Sequence, residues 1–264
     1  MPPNNPLDEV PLSGGNMTRV VRVGDTVRRE AGPWSETIHA LMLYLEAKGF
    51  DGAPRFLGID DQGREIISFI EGDTGFVPYR WDDDVLVGAA RLLRRFHDAT
   101  VGFVPPANAV WQRVHPDPRR HEVICHNDFA PYNLMFANRL PTAIIDFDLA
   151  GPGPRINDVA FGAYWFAPLQ FGGGEEGQRA LADLHNGCTR LSRFCNEYGI
   201  KASPELVNTV EHLLERMRDV IIEGVDAGDP VFIKLKAEGH LEGWSNDVIN
   251  FRTNKAALTQ ALAR

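Results

Sequence analysis

The spacing of apolar positions changes character once along this chain, near residue 70. Before that point short β-branched runs dominate. Residues 20–23 (Val-Val-Arg-Val) and 26–29 (Thr-Val-Arg-Arg) flank Gly24-Asp25, a two-residue turn signal, and predict a hairpin. Runs at 55–59 and 65–70, separated by Asp60-Asp61-Gln62-Gly63, predict a second pair of strands. Between the pairs, Ile38, Leu41, Met42 and Leu45 share one face of a helix over 35–48, with Ser35 as its cap and Gly49 as its stop. Residues 71–75 (Glu-Gly-Asp-Thr-Gly) break all regularity. Beyond them the period is helical. Asp82, Asp83 and Asp84 favour a helix N-terminus, and Val85, Leu86, Ala89, Leu92, Leu93 and Phe96 form the apolar face that follows. Further helices are expected over 176–198, stopped by Gly199, from Ser203-Pro204-Glu205 through a stripe ending at Ile221, and over 242–263. The Pro/Asn-rich residues 1–11 read as a loosely held tail. The whole pattern is α+β.

One stretch, residues 123–148 (VICHNDFAPYNLMFANRLPTAIIDFD), departs from packing logic and carries an inventory of chemistry. Apolar residues lead into His126, Asp128 and Asn133; a second apolar run then delivers Asp146-Phe147-Asp148. Phosphoryl transfer needs a carboxylate to accept the proton of an acceptor hydroxyl. It also needs an oxygen side chain a short loop away, and a second carboxylate from another strand, to hold metal against the ATP phosphates. His-x-Asp-x-x-x-x-Asn followed by Asp-Phe-x is the catalytic-loop and metal-loop pairing of protein kinases. The first half alone should occur by chance in about one chain of this length in a hundred, so the second half is what makes the signal specific.

These residues resemble the aminoglycoside phosphotransferase and choline kinase group, the small-molecule branch of the protein-kinase-like fold. The group reads aspartate where protein kinases have the glycine of their metal loop, and Asp148 stands there. Residues 154–160 (PRINDVA) are similar to the group's R-x-x-D-[LV]-A. The resemblance touches residues from about 12 to about 160. It implies a two-lobed protein-kinase-like fold: a small antiparallel β N-lobe with one main helix over 1–70, and a larger, mostly helical C-lobe over 71–264 carrying the catalytic loop, metal loop and acceptor-binding region. It implies ATP, with GTP as an option, and Mg2+. Asp128 is then the catalytic base, Asn133 and Asp146 the metal ligands, and Asp158 the residue that ties down the catalytic loop. His126 is expected to bond to the metal loop. Asp148 either extends the metal network or caps the turn at Gly151.

The nucleotide-binding expectations are Gly14 and Gly15, which let backbone amides approach phosphates, and the hinge backbone at Phe69, Ile70 and Glu71. A plain hairpin turn explains Gly14-Gly15 about as well. The chain departs from the pattern at the strand lysine, because the first 200 residues contain one lysine, Lys48, at the end of a helix. An arginine must fill that role. Residues two apart share a strand face, so Val27 and Arg29 pair as an adenine contact and a phosphate contact, with Arg28 the alternative. For the helix partner of that cation Glu36 is the choice, although His39 sits nearer the expected position.

The acceptor is expected to be a small, cationic hydroxyl compound, aminoglycoside-like or an aminoalcohol, with a sugar or macrolide as the neutral alternative. Carboxylates and aromatics of the C-terminal helices are candidates to meet it: Glu238, Glu242 and Trp165 first, then Glu175, Glu176, Asp229, Asp247 and Trp244. A net charge of −9 and a pI near 5.4 argue against nucleic acid as partner. Three cysteines (Cys125, Cys188, Cys195) cannot all pair and show no zinc spacing, which fits a reducing cytoplasm. The first residues lack the basic start and apolar run of a signal peptide, and the most apolar stretch, 159–171, is interrupted by Gly162 and Pro168, so no membrane segment is expected. A monomer or homodimer is expected. Two other classes compete: a nucleotide-binding module without turnover, motivated by the absent lysine, and a protein kinase, disfavoured because no APE-like segment follows the metal loop.

Overall fold

The computed structural model describes residues 9–12 and 20–262. Gly14 and Gly15 lie outside the described residues. The chain divides into two compact units, Met1–Tyr79 with Arg95–Pro154 and Arg80–Arg94 with Arg155–Arg264.

The first unit contains strands β1 (Val10–Pro11), β2 (Val20–Val23) and β3 (Thr26–Arg29), helix α1 (Ser35–Ala47), and strands β4 (Phe56–Ile59) and β5 (Glu65–Ser68). These strands form one antiparallel sheet in the order β1-β2-β3-β5-β4. The β2–β3 hairpin has the expected bounds, turning through Gly24 at φ 59°. Because β3 pairs next with β5, Val27 faces Ile67 and Arg29 faces Glu65 across the ladder. Helix α1 buries Ile38, Leu41 and Leu45 completely and ends before Gly49, which adopts φ 74°. Its start differs from expectation. Ser35 is the first helical residue rather than the cap, and its hydroxyl accepts from the Gly32 N–H at 2.9 Å.

Residues expected to be wholly irregular contribute a short strand, β6 (Asp73–Thr74). Helix α2 (Asp83–Thr100) follows, then β7 (Val123–Cys125), β8 (Leu134–Ala137), β9 (Leu140–Ile144) and β10 (Gly151–Gly153). β6 pairs with β8, and β8 with β9; β7 pairs with β10. The β6 pairing is long-range, so no local pattern announces it. Gly72 makes it possible, since a Cβ there would lie 2.5 Å from the Phe136 carbonyl oxygen. Phe50, Phe96, His126 and Phe147 pack edge to face or tilted as the core beneath these strands.

The second unit is helical: α3 (Arg155–Phe166), α4 (Gly174–His185), α5 (Thr189–Tyr198), α6 (Pro204–Asp226), α7 (Pro230–Ala237) and α8 (His240–Leu262). The stripe predicted on α6 is its packing face, with Leu206, Val210, Leu214 and Ile221 buried, and α6 meets α3, α7 and α8. The single helix expected over 176–198 is in fact two. Gly187 and Cys188 adopt φ 79° and 57°, and Asp183 accepts from the Thr189 hydroxyl and Arg190 N–H, capping a new helix. Among the described residues no helix is long and apolar enough to cross a membrane.

Two glycines in helices test this packing in opposite directions. Alanine is favoured over glycine in a helix by about 1 kcal/mol. Gly243 of α8 has nothing within 4 Å of an added Cβ, so Gly243→Ala should stabilise the protein by roughly 0.5–1 kcal/mol in urea unfolding. At Gly177 of α4 a Cβ would fall 1.6 Å from the Gly172 carbonyl oxygen, so Gly177→Ala should destabilise by about 1–3 kcal/mol despite its better propensity.

Candidate active site

The catalytic-loop residues are set by a tight sequence of turns. β7 delivers His126; Asn127 adopts φ 64°, a conformation asparagine tolerates better than most residues, and donates its amide to the Leu149 carbonyl at 2.8 Å. The chain then turns through a single 3-10 turn at Pro131–Asn133, started by proline, which has no N–H to lose there. That turn folds Asn133 back on Asp128. The Asn133 amide donates to one Asp128 carboxylate oxygen at 2.8 Å and to its backbone carbonyl at 3.0 Å, while the Tyr132 hydroxyl donates to the other carboxylate oxygen at 2.8 Å. Burial, with the Asp128 charge beside it, pushes the Tyr132 phenol well up, so it stays a donor.

The metal-loop residues are tied to this loop through the backbone. Ile145 N–H donates to the Asn133 carbonyl at 2.9 Å, and the His126 Nε2 bonds to the Ile145 carbonyl at 3.0 Å. A carbonyl only accepts, so His126 carries its proton on Nε2. Phe147 is fully buried against His126 and Phe96, so the core holds the residue between the two aspartates. Asp146 adopts φ 61°, a strained region for a residue with a Cβ. Loss of surrounding water, with the neighbouring Asp148 charge, raises the Asp146 pKa. Its side chain is still 56% exposed, so the charge repulsion is the weightier cause.

Arg29 relieves that repulsion. Its Nη2 donates to Asp148 Oδ1 at 2.5 Å, its Nη1 lies 3.8 Å from Asp146, and its Nε donates to Glu65 at 2.5 Å. Burial opposes its charge, but the carboxylates of Asp148, Glu65 and Asp146 outweigh this and raise its pKa. Arg28 points elsewhere, donating to the Thr26 hydroxyl at 2.6 Å and lying 3.8 Å from Asp60. Strand alternation therefore sends the two arginines to different partners.

Glu36 is not Arg29's partner. It is exposed and receives the Asn108 amide at 3.3 Å. Glu65 takes that place, from the adjacent strand rather than the helix. It is completely buried. Against the penalty of burial, His39 at 2.7 Å, the Arg29 charge and the Ser35 hydroxyl bring its pKa down to about 2. A glutamate at the head of the run Glu-Ile-Ile-Ser gave one local hint; its pairing needs the β3–β5 register, which sequence does not supply. Tyr132, four residues after Asp128, was likewise unmarked.

The remaining expected residues are placed as follows. Phe69 N–H donates to the Asp25 carbonyl, and Glu71 pairs with Arg22, whose guanidinium lies over the Phe69 ring; Ile70 lies between them. In the second unit Asp158 is buried in the first turn of α3. Trp165 stands beside Tyr164 and Trp244, and Tyr164 donates to Asp247, whose pKa burial raises. Glu238 lies within 4 Å of Lys234 and His240, and Glu242 is exposed in the first turn of α8. Glu175 and Glu176 pair with Arg179 and Arg80, and Asp229 caps α7.

The donor set suits a hard divalent cation. Asp146, Asp148 and Asn133 offer oxygen ligands, and the Asn133 amide nitrogen is already committed to Asp128, leaving its oxygen for a metal. The mutual repulsion that raises Asp146 is what a cation would remove.

Comparison with known proteins places this arrangement. Residues 105–191, which contain both loops, match the phosphotransferase enzyme family. The α+β architecture is the protein-kinase-like fold of choline kinase and aminoglycoside phosphotransferase structures. A choline/ethanolamine kinase family protein from Mesorhizobium loti superposes with a TM-score of 0.57 at 15% identity, over 93% of this chain and 92% of that one. Amicoumacin kinase hAmiN, solved with AMP-PNP, Ca2+ and Ami, gives 0.61 at 13% identity, over 94% and 87%. In sequence, 150 residues are 43% identical to the trifolitoxin immunity protein of Rhizobium leguminosarum bv. trifolii. That match covers 55% of this chain and 57% of that protein.

Removing Arg29 takes from the buried Glu65 its arginine partner and leaves it only His39 and Ser35, so Arg29→Ala should cost roughly 3 kcal/mol in chemical unfolding, and Arg28→Ala less than about 1 kcal/mol. Glu65 also sets an acid dependence. Its folded pKa is depressed from 4.5 to about 2, so its stabilisation is complete above pH 4.5 and is lost as pH falls from there toward 2. The displacement corresponds to on the order of 3 kcal/mol. Stability measured across pH 5 to 2 should therefore fall less steeply in Glu65→Gln than in wild type.

Proposed function

We propose that this protein is a phosphotransferase that moves the γ-phosphate of ATP to a hydroxyl of a small molecule. The observation that carries the reading is the linked acid centre: Asp128 bonded to Asn133, and Asp146 and Asp148 held beside Arg29. In it Asp128 orients the acceptor hydroxyl and takes its proton, as the oxygen bonds to the γ-phosphorus and the bond to the ADP oxygen breaks. Tyr132 and Asn133 fix the Asp128 carboxylate in one rotamer for that contact. Asn133 and Asp146 would hold Mg2+, which when bound supplies positive charge to the phosphate oxygens. Arg29 faces the phosphates as a fork rather than a point charge, and GTP fits the same contacts. His126 and Asp158 support the loops. Residues 1–70 form the nucleotide-binding lobe and 71–264 the remainder, with the hinge at Phe69, Ile70 and Glu71; adenine must use acceptors or amides there other than the Phe69 N–H, which Asp25 occupies.

A small cationic acceptor suits the acidic chain, with Trp165, Glu238 and Glu242 as contacts. The 43% identity to an immunity protein favours one refinement: the acceptor is a toxic compound, and phosphorylation protects the cell that makes the enzyme. A module that binds nucleotide without turnover is disfavoured by the intact bonding of Asp128 to Asn133 and Tyr132, which nucleotide binding alone does not require.

The test is ADP release with Mg·ATP across aminoglycosides, aminoalcohols, macrolides, sugars and antibacterial toxins, with Asp146→Asn as the blank. At least one acceptor should give turnover that the blank lacks. On that acceptor Asp128→Ala should lower kcat by about a hundredfold or more while leaving Mg·ATP affinity nearly unchanged. A variant retaining a tenth of the wild-type rate would remove Asp128 from its assigned role, and ATP binding with no hydrolysis or transfer on any acceptor would favour the inactive module.

A further inference from the structure

The protein must solve a problem that its arginine creates. A guanidinium beside a carboxylate tends to close on it with two parallel bonds, using Nε and Nη2 together. If Arg29 closed on Glu65 in that way, its Nη2 would be drawn toward Glu65 and shared with it, not given to Asp148 alone. Instead Arg29 gives Glu65 only its Nε, on Oε2, and keeps Nη2 on Asp148. The other Glu65 oxygen, Oε1, is taken by His39 Nε2 at 2.7 Å. An ionised glutamate only accepts, so the imidazole donates here. The ring is itself held, stacked on Phe56 of β4 at 3.8 Å and 15°, which leaves it little freedom to swing away from Glu65.

We infer that His39 is a positioning residue for phosphotransfer: by occupying one oxygen of Glu65 it keeps Arg29 bound there through Nε alone and leaves Nη1 and Nη2 together facing the acid centre and the nucleotide phosphates. This rests on the phosphotransferase reading and deepens it. Without His39 the imidazole's hold on Oε1 is lost, only the Ser35 hydroxyl competes for Glu65, and Arg29 draws Nη2 back toward it. Arginine in place of a strand lysine, a glutamate from the neighbouring strand, and a histidine on α1 then belong together as one device.

The test is calorimetric titration of the full chain with Mg·ADP. His39→Phe keeps a ring for the Phe56 stack and removes the donor; His39→Gln keeps an N–H donor. Ser35, which also bonds Glu65, stays in each variant, so the comparison isolates the imidazole. His39→Phe should weaken Mg·ADP binding about tenfold, the fold-change of one charge-assisted hydrogen bond, and His39→Gln should restore most of it. In an Arg29→Ala background His39→Phe should have no further effect, because the group it positions is gone. Equal weakening by His39→Phe with and without Arg29 would assign it a merely structural role and overturn the inference, as would wild-type affinity in His39→Phe. If the wild-type protein binds no Mg·ADP, the phosphotransferase reading falls and the inference with it.

Discussion

A buried carboxylate must be paired, and in this protein that requirement connects the sheet to the catalytic stretch. Glu65 has no exposed surface, so leaving it charged demands partners, and it finds them in Arg29, His39 and Ser35. Arg29, once anchored, extends its second edge to Asp148 and Asp146. Strand β3 thereby reaches the metal-loop sequence about 120 residues later through one side chain. The same charges that hold the sheet to the loop are those a metal–nucleotide complex would meet. In the proposed function, stability and phosphotransfer draw on one network, and a substitution in it should be read on both scales.

Elsewhere the protein uses apolar burial to set polar geometry. Phe147 is clamped in the core by His126 and Phe96, which places Asp146 and Asp148 on either side of a fixed point. Pro131 starts the turn that returns Asn133 to Asp128. Neither Phe147 nor Pro131 is polar, yet each fixes the spacing of the polar side chains around it. The left-handed conformation of Asp146 adds backbone strain beside that fixed point.

How much of this was legible in sequence depended on the range of the interaction. The β2–β3 hairpin, the α1 face and the α6 stripe rest on local spacing, and they lie where the pattern put them. The turn that brings Asn133 onto Asp128 keeps a fixed short spacing in the sequence, and strand alternation alone sends Arg29 and Arg28 to different faces of β3. What failed was non-local or finely balanced. Glu65 required a strand register, and β6 required a partner some sixty residues away. The break between α4 and α5 turned on Asp183 capping a helix that propensity alone would have run straight through. A helix is the usual source of such a partner, which points to Glu36, and a buried cross-strand glutamate gives no periodic signal against it.

The central claim is that Asn133 and Asp146 form a divalent cation site that carries a nucleotide. The most direct measurement is electron paramagnetic resonance titration of Mn2+ with the protein, with and without ATP, on wild type and on Asp146→Asn. The account predicts that wild type takes up Mn2+ with ATP in a ternary complex and that Asp146→Asn loses this uptake by at least tenfold, the scale on which a lost carboxylate ligand acts. Undiminished ternary binding in Asp146→Asn would contradict it, and would place the nucleotide somewhere other than the acid centre that Arg29 closes.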